Sequence, residues 1–261
     1  MQASELGTTG GRDLGTDGPV VVLVHGAGMD RTVWSLQTRW LAHHGMPALA
    51  IDLPGHGKND DDPLPSIFDY GKWLAAVVET NFVDRARPVH LVGHSMGTYV
   101  AAEAAMLADV ASLTMIGTAA AMPVHPKLLA AAEANDPLAG ALMSGWAFDQ
   151  RTRTGAHPSP GANMVGATQA MLTQCSPGVL HDDLAMCSVY TGAEATIARF
   201  DGPITFLLGT ADRMTPRRSA QVLIDAAQQP RLEEVACGHM IQIEAPRRTR
   251  EVIADTVADR P

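Results

Sequence analysis

The stretch that most constrains this chain is Pro88-Val-His-Leu-Val92, which runs straight into Gly93-His-Ser-Met-Gly97 and then into an Ala-rich segment from Thr98 to Leu107. The first run reads as a short buried strand and the last as a helix, with almost no loop between them. Such a junction forces Ser95 into a strained backbone conformation and stands its side chain above the sheet. The glycines two before and two after it let helix and strand pack closely. The helix N-terminus brings unpaired N–H groups and the positive end of its dipole to the same place. Ser95 is therefore the candidate nucleophile, against the bland alternative of an N-cap serine flanked by glycines. Given this chain's glycine and serine content, G-x-S-x-G arises by chance roughly 0.08 times, and more rarely still at a strand-to-helix junction, so the nucleophile is the stronger reading.

Other short apolar runs repeat the pattern. Val20–Val24 ends at His25-Gly26, Pro47–Ile51 ends at Asp52, and Val110–Ile116 and Ile204–Leu208 follow later, with 231–235 as a candidate edge strand. Helical spacing marks Trp34 to Leu41, 67–83, 216–228 and 241–258. Strands alternating with amphipathic helices predict an α/β fold: a mostly parallel sheet with helices on both faces. The alternation stops between Thr118 and Arg199, where Pro123, Pro126, Pro137, Pro158, Pro160 and Pro177 punctuate Ala- and Met-rich helical pieces. This interval reads as a helical cap after the fourth of these runs, closing over the C-terminal edge of the sheet. The expected division is a core of 1–117 and 200–261 with a cap of 118–199.

A chain of 261 residues fits one large domain or a domain with an insertion. Its net charge of -9 argues against nucleic acid or an anionic membrane as partner. Cys175, Cys187 and Cys237 are odd in number and lack C-x-x-C spacing, which suggests neither a disulfide framework nor a zinc site. Asp60-Asp-Asp62 reads as a solvated turn, since no further metal ligands stand at suitable spacing. The N-terminal stretch Met1 to Pro19 lacks the basic-then-apolar pattern of a secretory signal. No apolar run approaches the ~18 residues of a membrane span. The expectation is a soluble, cytoplasmic protein with no metal or organic cofactor and a small-molecule partner. A homodimer stays open.

Acyl transfer needs two N–H donors for the oxyanion. Met96, directly after the candidate nucleophile, offers one, and Ala27 in the loop His25-Gly-Ala-Gly28 offers the other. His25 reads as a structural residue that hydrogen-bonds this loop. Of the 10 histidines, His239 alone follows the last strand candidate and precedes the last helix, in Cys237-Gly-His-Met240. It is the candidate general base. Asp212, in Gly209-Thr-Ala-Asp212 directly after a strand, is the candidate acid that orients it, with a helix cap ahead of Pro216 as the plainer alternative. Asp201 and Asp136 lack that strand-end setting.

His25-Gly-Ala-Gly28, Asp52-Leu-Pro-Gly-His-Gly57, Gly93-His-Ser-Met-Gly97, Gly209-Thr-Ala-Asp212 and Gly238-His-Met240 stand in the order seen in the α/β-hydrolase superfamily. The chain resembles its small, cap-bearing bacterial serine hydrolases, such as esterases and lactonases. The resemblance covers most of residues 20–117 and 203–258. It implies an eight-stranded, mostly parallel sheet whose second strand is antiparallel, with the cap inserted after the sixth strand. Little chain precedes Val20, so the first hairpin is expected to be reduced. Ser95 stands where dehalogenases and epoxide hydrolases of this fold carry an aspartate.

These readings converge on an ester or lactone hydrolase working through an acyl-enzyme on Ser95, His239 and Asp212. The candidate substrate-binding residues are Gly26, Gly28, Met29, Met122, Trp146, Met214 and Met240, with Phe148, Met164 and Met171 as further apolar cap positions. Together they suggest a small to medium, largely apolar substrate. Arg151 and Arg153 read as solvated cap charges. A carbon–carbon bond hydrolase, a hydroxynitrile-lyase-like lyase and a non-enzymatic ligand receptor of the same fold remain alternatives.

Overall fold

The computed structural model describes residues 18–82, 87–155 and 161–258. Six strands form one sheet: β1 (Val20–Val24), β2 (Ala48–Ile51), β3 (Val89–His94), β4 (Ser112–Ile116), β5 (Ile204–Gly209) and β6 (Pro230–Val235), in spatial order β2-β1-β3-β4-β5-β6. Every neighbouring pair is parallel. The first hairpin that the resemblance implies falls before Val20 and lies outside the described residues, as do His157, Pro158 and Pro160.

Strands β1 to β5 are buried along their whole length, as expected of parallel strands covered on both faces. Alternation along β1 sends Val20, Val22 and Val24 into one core and Val21 and Leu23 into the other. The first core is closed by α2 (Ile67–Asn81) and α3 (Met96–Ala105), and the second by α1 (Ser35–His43), α11 (Ile241–Glu244) and α12 (Pro246–Ala258). At α2 the Ser66 side chain accepts the N–H of Asp69 and donates to its carboxylate, satisfying an orphan donor of the first turn. β6 is partly exposed and carries Arg231, Glu233 and Glu234, charges that suit an edge strand.

The chain between β4 and β5 holds no strand among the described residues. It carries α4 (Pro126–Glu133), α5 (Leu138–Ala147), α6 (Gln150–Arg153), α7 (Met164–Gln174), α8 (Val179–Val189) and α9 (Ala193–Arg199), followed after β5 by α10 (Arg217–Ala226). The apolar spacing predicts one helix over 241–258, but the structure has two. Pro246 has no N–H to continue the first, and its fixed φ instead opens the second.

β1 leads to β2 on one side, while β3 starts the run to β6 on the other. The crevice beyond the C-terminal ends of β1 and β3 is thus the topological switch point, where open α/β sheets take their ligands. No helix among the described residues is long and apolar enough to cross a membrane.

Candidate active site

Ser95 is the single residue between β3 and α3. Its backbone sits at φ 53 and ψ -121, a region that L-residues rarely occupy and that costs about 1–3 kcal/mol. The surroundings fix it there. Its N–H donates to Ile116 O (2.9 Å), and its carbonyl accepts the N–H (2.9 Å) and hydroxyl (2.7 Å) of Thr98. A β-carbon on Gly93 would lie 2.3 Å from Gly97 O, and one on Gly97 would lie 2.5 Å from the carbonyls of Val24 and His25. Backbone meets backbone at both positions, so the two glycines flanking Ser95 are steric necessities. The Ser95 side chain makes no capping bond and borders a cavity of about 390 Å³.

Asp212 and His239 come from the ends of β5 and β6. Asp212 Oδ2 lies 2.8 Å from His239 Nδ1 and also accepts the Thr215 hydroxyl (2.8 Å), while Oδ1 accepts the N–H groups of Met214 (2.8 Å) and Thr215 (2.9 Å). One Asp212 oxygen thus closes the turn to Thr215 while the other faces the imidazole, and the helix that opens after Pro216 has no side-chain cap. Burial works against charge on this carboxyl. The His239 ring and the Thr215 donors outweigh it and hold Asp212 well below the usual carboxylate range. His239 itself is pinned through its backbone. Its N–H donates to Ala147 O (2.6 Å), and its carbonyl faces His94 Nε2 (3.1 Å). The preceding Gly238 N–H donates to Glu244 Oε1 (3.0 Å), whose other oxygen takes the Asp149 N–H (2.9 Å).

After β1, His25 Nδ1 lies 2.9 Å from Gly26 O, and Nε2 accepts the Leu53 N–H (3.1 Å). Burial, and next the neighbouring His56, push the His25 pKa down to about 3, so the ring is a neutral brace for this loop. His94 is likewise driven down to about 3, by burial and then by His239. Met96 opens α3, so its N–H has no acceptor within the helix.

The cavity brings together Ser95, His239, Ala27, Met29, Met122, Trp146, Met214 and Met240. Gly26 and Gly28 do not line it. Gly28 faces Leu180 and Leu172 instead, and its N–H is taken by Asp183. Met164, Met171 and Phe148 pack into the second core. His125, Thr215, Leu128, Met143 and Leu184, together with Arg213, complete much of the wall. Of these, Thr215 had a sequence signal, because a hydroxyl three residues after an aspartate is a common turn partner. Among the described residues no group of His, Cys, Asp and Glu is arranged to hold a metal ion.

The sequence pattern of the alpha/beta hydrolase family matches residues 21–252. The chain belongs to the alpha/beta hydrolase family. Within it, this chain is 42% identical to the pimeloyl-(acyl-carrier protein) methyl ester esterase of Methylococcus capsulatus over 101 residues, 38% of its length. That match spans 37% of the relative's own length. The enzyme of the same name from Aromatoleum aromaticum is 26% identical over 256 residues, covering 92% of this chain and 98% of that one. Among solved structures, the enol-lactonase of Burkholderia xenovorans superposes with a TM-score of 0.83 at 18% identity, over 95% of this chain and 94% of that chain. At that identity the likeness is one of fold.

Proposed function

We propose that this α/β hydrolase cleaves the carboxylic ester or lactone of a small to medium, largely apolar substrate in the cytoplasm, with Ser95 as nucleophile. The observation that carries this reading is the Asp212–His239 bond of 2.8 Å beside a cavity that Ser95 also borders. With Nδ1 committed to Asp212, His239 keeps Nε2 for the proton of Ser95. The Ser95 oxygen attacks the carbonyl carbon as that proton passes to His239. The oxyanion is held by the N–H groups of Met96 and Ala27. His239 then gives its proton to the departing alcohol. Water adds to the acyl-serine, its proton goes to His239, and the acid leaves as Ser95 is restored.

The wall supports the substrate class. Met29, Met122, Met143, Trp146, Met214 and Met240 are adaptable, apolar contacts. We read residues 118–199, which carry α4–α9, as the cap that supplies Met122, His125, Leu128, Met143 and Trp146 to this wall. The methyl ester esterases among the relatives make a short alkyl ester the first substrate to try. The Ser95→Ala protein is expected to fold and to lose p-nitrophenyl butyrate hydrolysis by about 10⁴-fold or more. Activity near wild type in that variant would remove Ser95 from the mechanism.

A further inference from the structure

A buried pair of charged groups outside the site described above touches the oxyanion loop from the far side. His56 lies in the loop after β2 and Asp183 on α8, and both side chains are almost fully buried. Asp183 Oδ2 accepts the N–H of Gly28 at 2.7 Å and faces His56 Nε2 at 2.9 Å. Asp183 Oδ1 has no protein donor among the described residues, so this carboxylate acts entirely through those two contacts. The other ring nitrogen of His56 lies 3.0 Å from the carbonyl of Pro54, which can only accept. A ring whose two nitrogens both face acceptors carries both protons. His56 is thus an imidazolium and Asp183 its carboxylate. Burial opposes that charge, but Asp183 outweighs it and raises the His56 pKa above its ordinary value.

The loop geometry shows what this pair acts on. The carbonyl of Gly26 and the N–H of Ala27 belong to one planar trans peptide, in which they point in opposite directions. His25 Nδ1 (2.9 Å) and the Met29 N–H (3.2 Å) fix that carbonyl, and so fix where the Ala27 N–H points. The next peptide joins Ala27 to Gly28, and its N–H is the one that Asp183 holds. Both peptide planes around Ala27 are therefore pinned, one from within the loop and one from α8.

We propose that Asp183 is a positioning residue for the oxyanion hole, holding the Ala27–Gly28 peptide from the helical insertion while His56 holds Asp183. This rests on the reading of Ala27 as an oxyanion donor. The insertion then does more than shape the substrate cavity, because its α8 completes the support of a donor that belongs to the core. Several groups face the pair. His25 packs against the His56 ring, with centroids 4.9 Å apart. Tyr70 from α2 shares the Pro54 carbonyl with His56, and Asp52 from the end of β2 favours the imidazolium. Cys175 and Cys187 lie near Asp183, their thiols pushed up chiefly by burial and next by that carboxylate. Because the His56 pKa is raised, its positive charge is complete below the ordinary value of 6.5 and is lost as pH rises through the folded value, which weakens its hold on Asp183.

The test is kinetic, using p-nitrophenyl butyrate and a fluorophosphonate probe on the full chain. Asp183→Ala is expected to lower kcat by about 10- to 100-fold with KM within about threefold, and to slow phosphonylation of Ser95 by a similar factor. Asp183→Asn is expected to stay within about fivefold of wild type, because an amide oxygen at the Oδ2 position can accept both the Gly28 N–H and an N–H from His56 Nε2. It should also lack the alkaline fall in kcat that is expected of wild type as His56 gives up its proton. An unchanged kcat in Asp183→Ala, with Ser95→Ala inactive, overturns the positioning role and leaves the nucleophile standing. Should Asp183→Ala fail to fold, an alkaline limb retained in Asp183→Asn overturns it instead. Full activity in Ser95→Ala overturns the reading of the site and this inference with it.

Discussion

Gly117 lies against the ring of His239, so that a side chain there would have to displace the imidazole by a few tenths of an ångström. A β-carbon on Gly117 would sit 3.1 Å from both Cε1 and Nδ1 of the imidazole. The residue directly follows β4 with φ +59, and its N–H donates to Leu207 O (3.0 Å). Gly117→Ala would therefore press on the imidazole and strain the backbone together. The expected result is a folded protein with kcat reduced about 10-fold or more and KM little changed, since a small displacement of a general base costs rate more than binding. Steady-state kinetics on p-nitrophenyl butyrate decide it.

Ser95 pays for its backbone conformation whether or not it reacts. At φ 53 and ψ -121 glycine is unstrained. Ser95→Gly should be inactive yet more stable than wild type by about 1 kcal/mol. Chemical denaturation of the two proteins measures the difference, and a less stable variant would show that the strain is not stored at this residue.

Asp212 ties the candidate site to acid stability. Its folded pKa lies below the ordinary 3.8, so its contribution to stability is complete above that pH and is lost as pH falls from there through the folded value. Asp212→Asn removes that term and frees His239 to take the wrong tautomer, with an expected loss of about 10⁴ in kcat. Urea titrations from pH 6 to pH 3 should show the wild-type advantage over Asp212→Asn shrinking only at the acid end.

Trp146 is one wall of the cavity. Its indole borders the lining and packs beside the His125 ring, with centroids 5.6 Å apart. Trp146→Ala opens that space, so longer acyl chains should gain on acetate by about 10-fold in relative kcat/KM. A chain-length series of p-nitrophenyl esters reads it directly, and an unchanged ratio would move the acyl site elsewhere in the cavity.

Asp52 ties two loops together beside the site. It is buried, accepts the N–H groups of Arg31 (2.7 Å) and Lys58 (2.9 Å), and pairs with the Arg31 guanidinium. Asp52→Ala leaves those donors unmatched and should cost about 2–4 kcal/mol of stability. Thermal unfolding checks the loss.

The strands were legible because buried parallel strands are written as short β-branched runs, and Val20–Val24 and Ile204–Leu208 carry that signal plainly. The Asp212–His239 pairing was legible because each residue sits directly after a strand candidate, and a parallel sheet sends all its strand ends to one edge. Asp183 was harder to see. It shares the apolar face of α8 with Val179 and Cys187, four residues to either side, and a lone acid in that position signals a buried partner that only the tertiary structure names. Glycine permits close approach, so the sequence alone points Gly26 and Gly28 toward the substrate. What approaches Gly28 is instead the leucine side chains of α7 and α8. The break at Pro246 was hidden by apolar spacing that continues across it.

The His239 backbone N–H hangs from the carbonyl of Ala147, the last residue of α5, at 2.6 Å. The histidine loop is thus partly suspended from the segment between β4 and β5. A transplant of that segment from another hydrolase would carry with it the peg on which the imidazole hangs. Chimeras joined near Thr118 and Arg199 will keep their rate only when the donor brings a carbonyl to the same point in space.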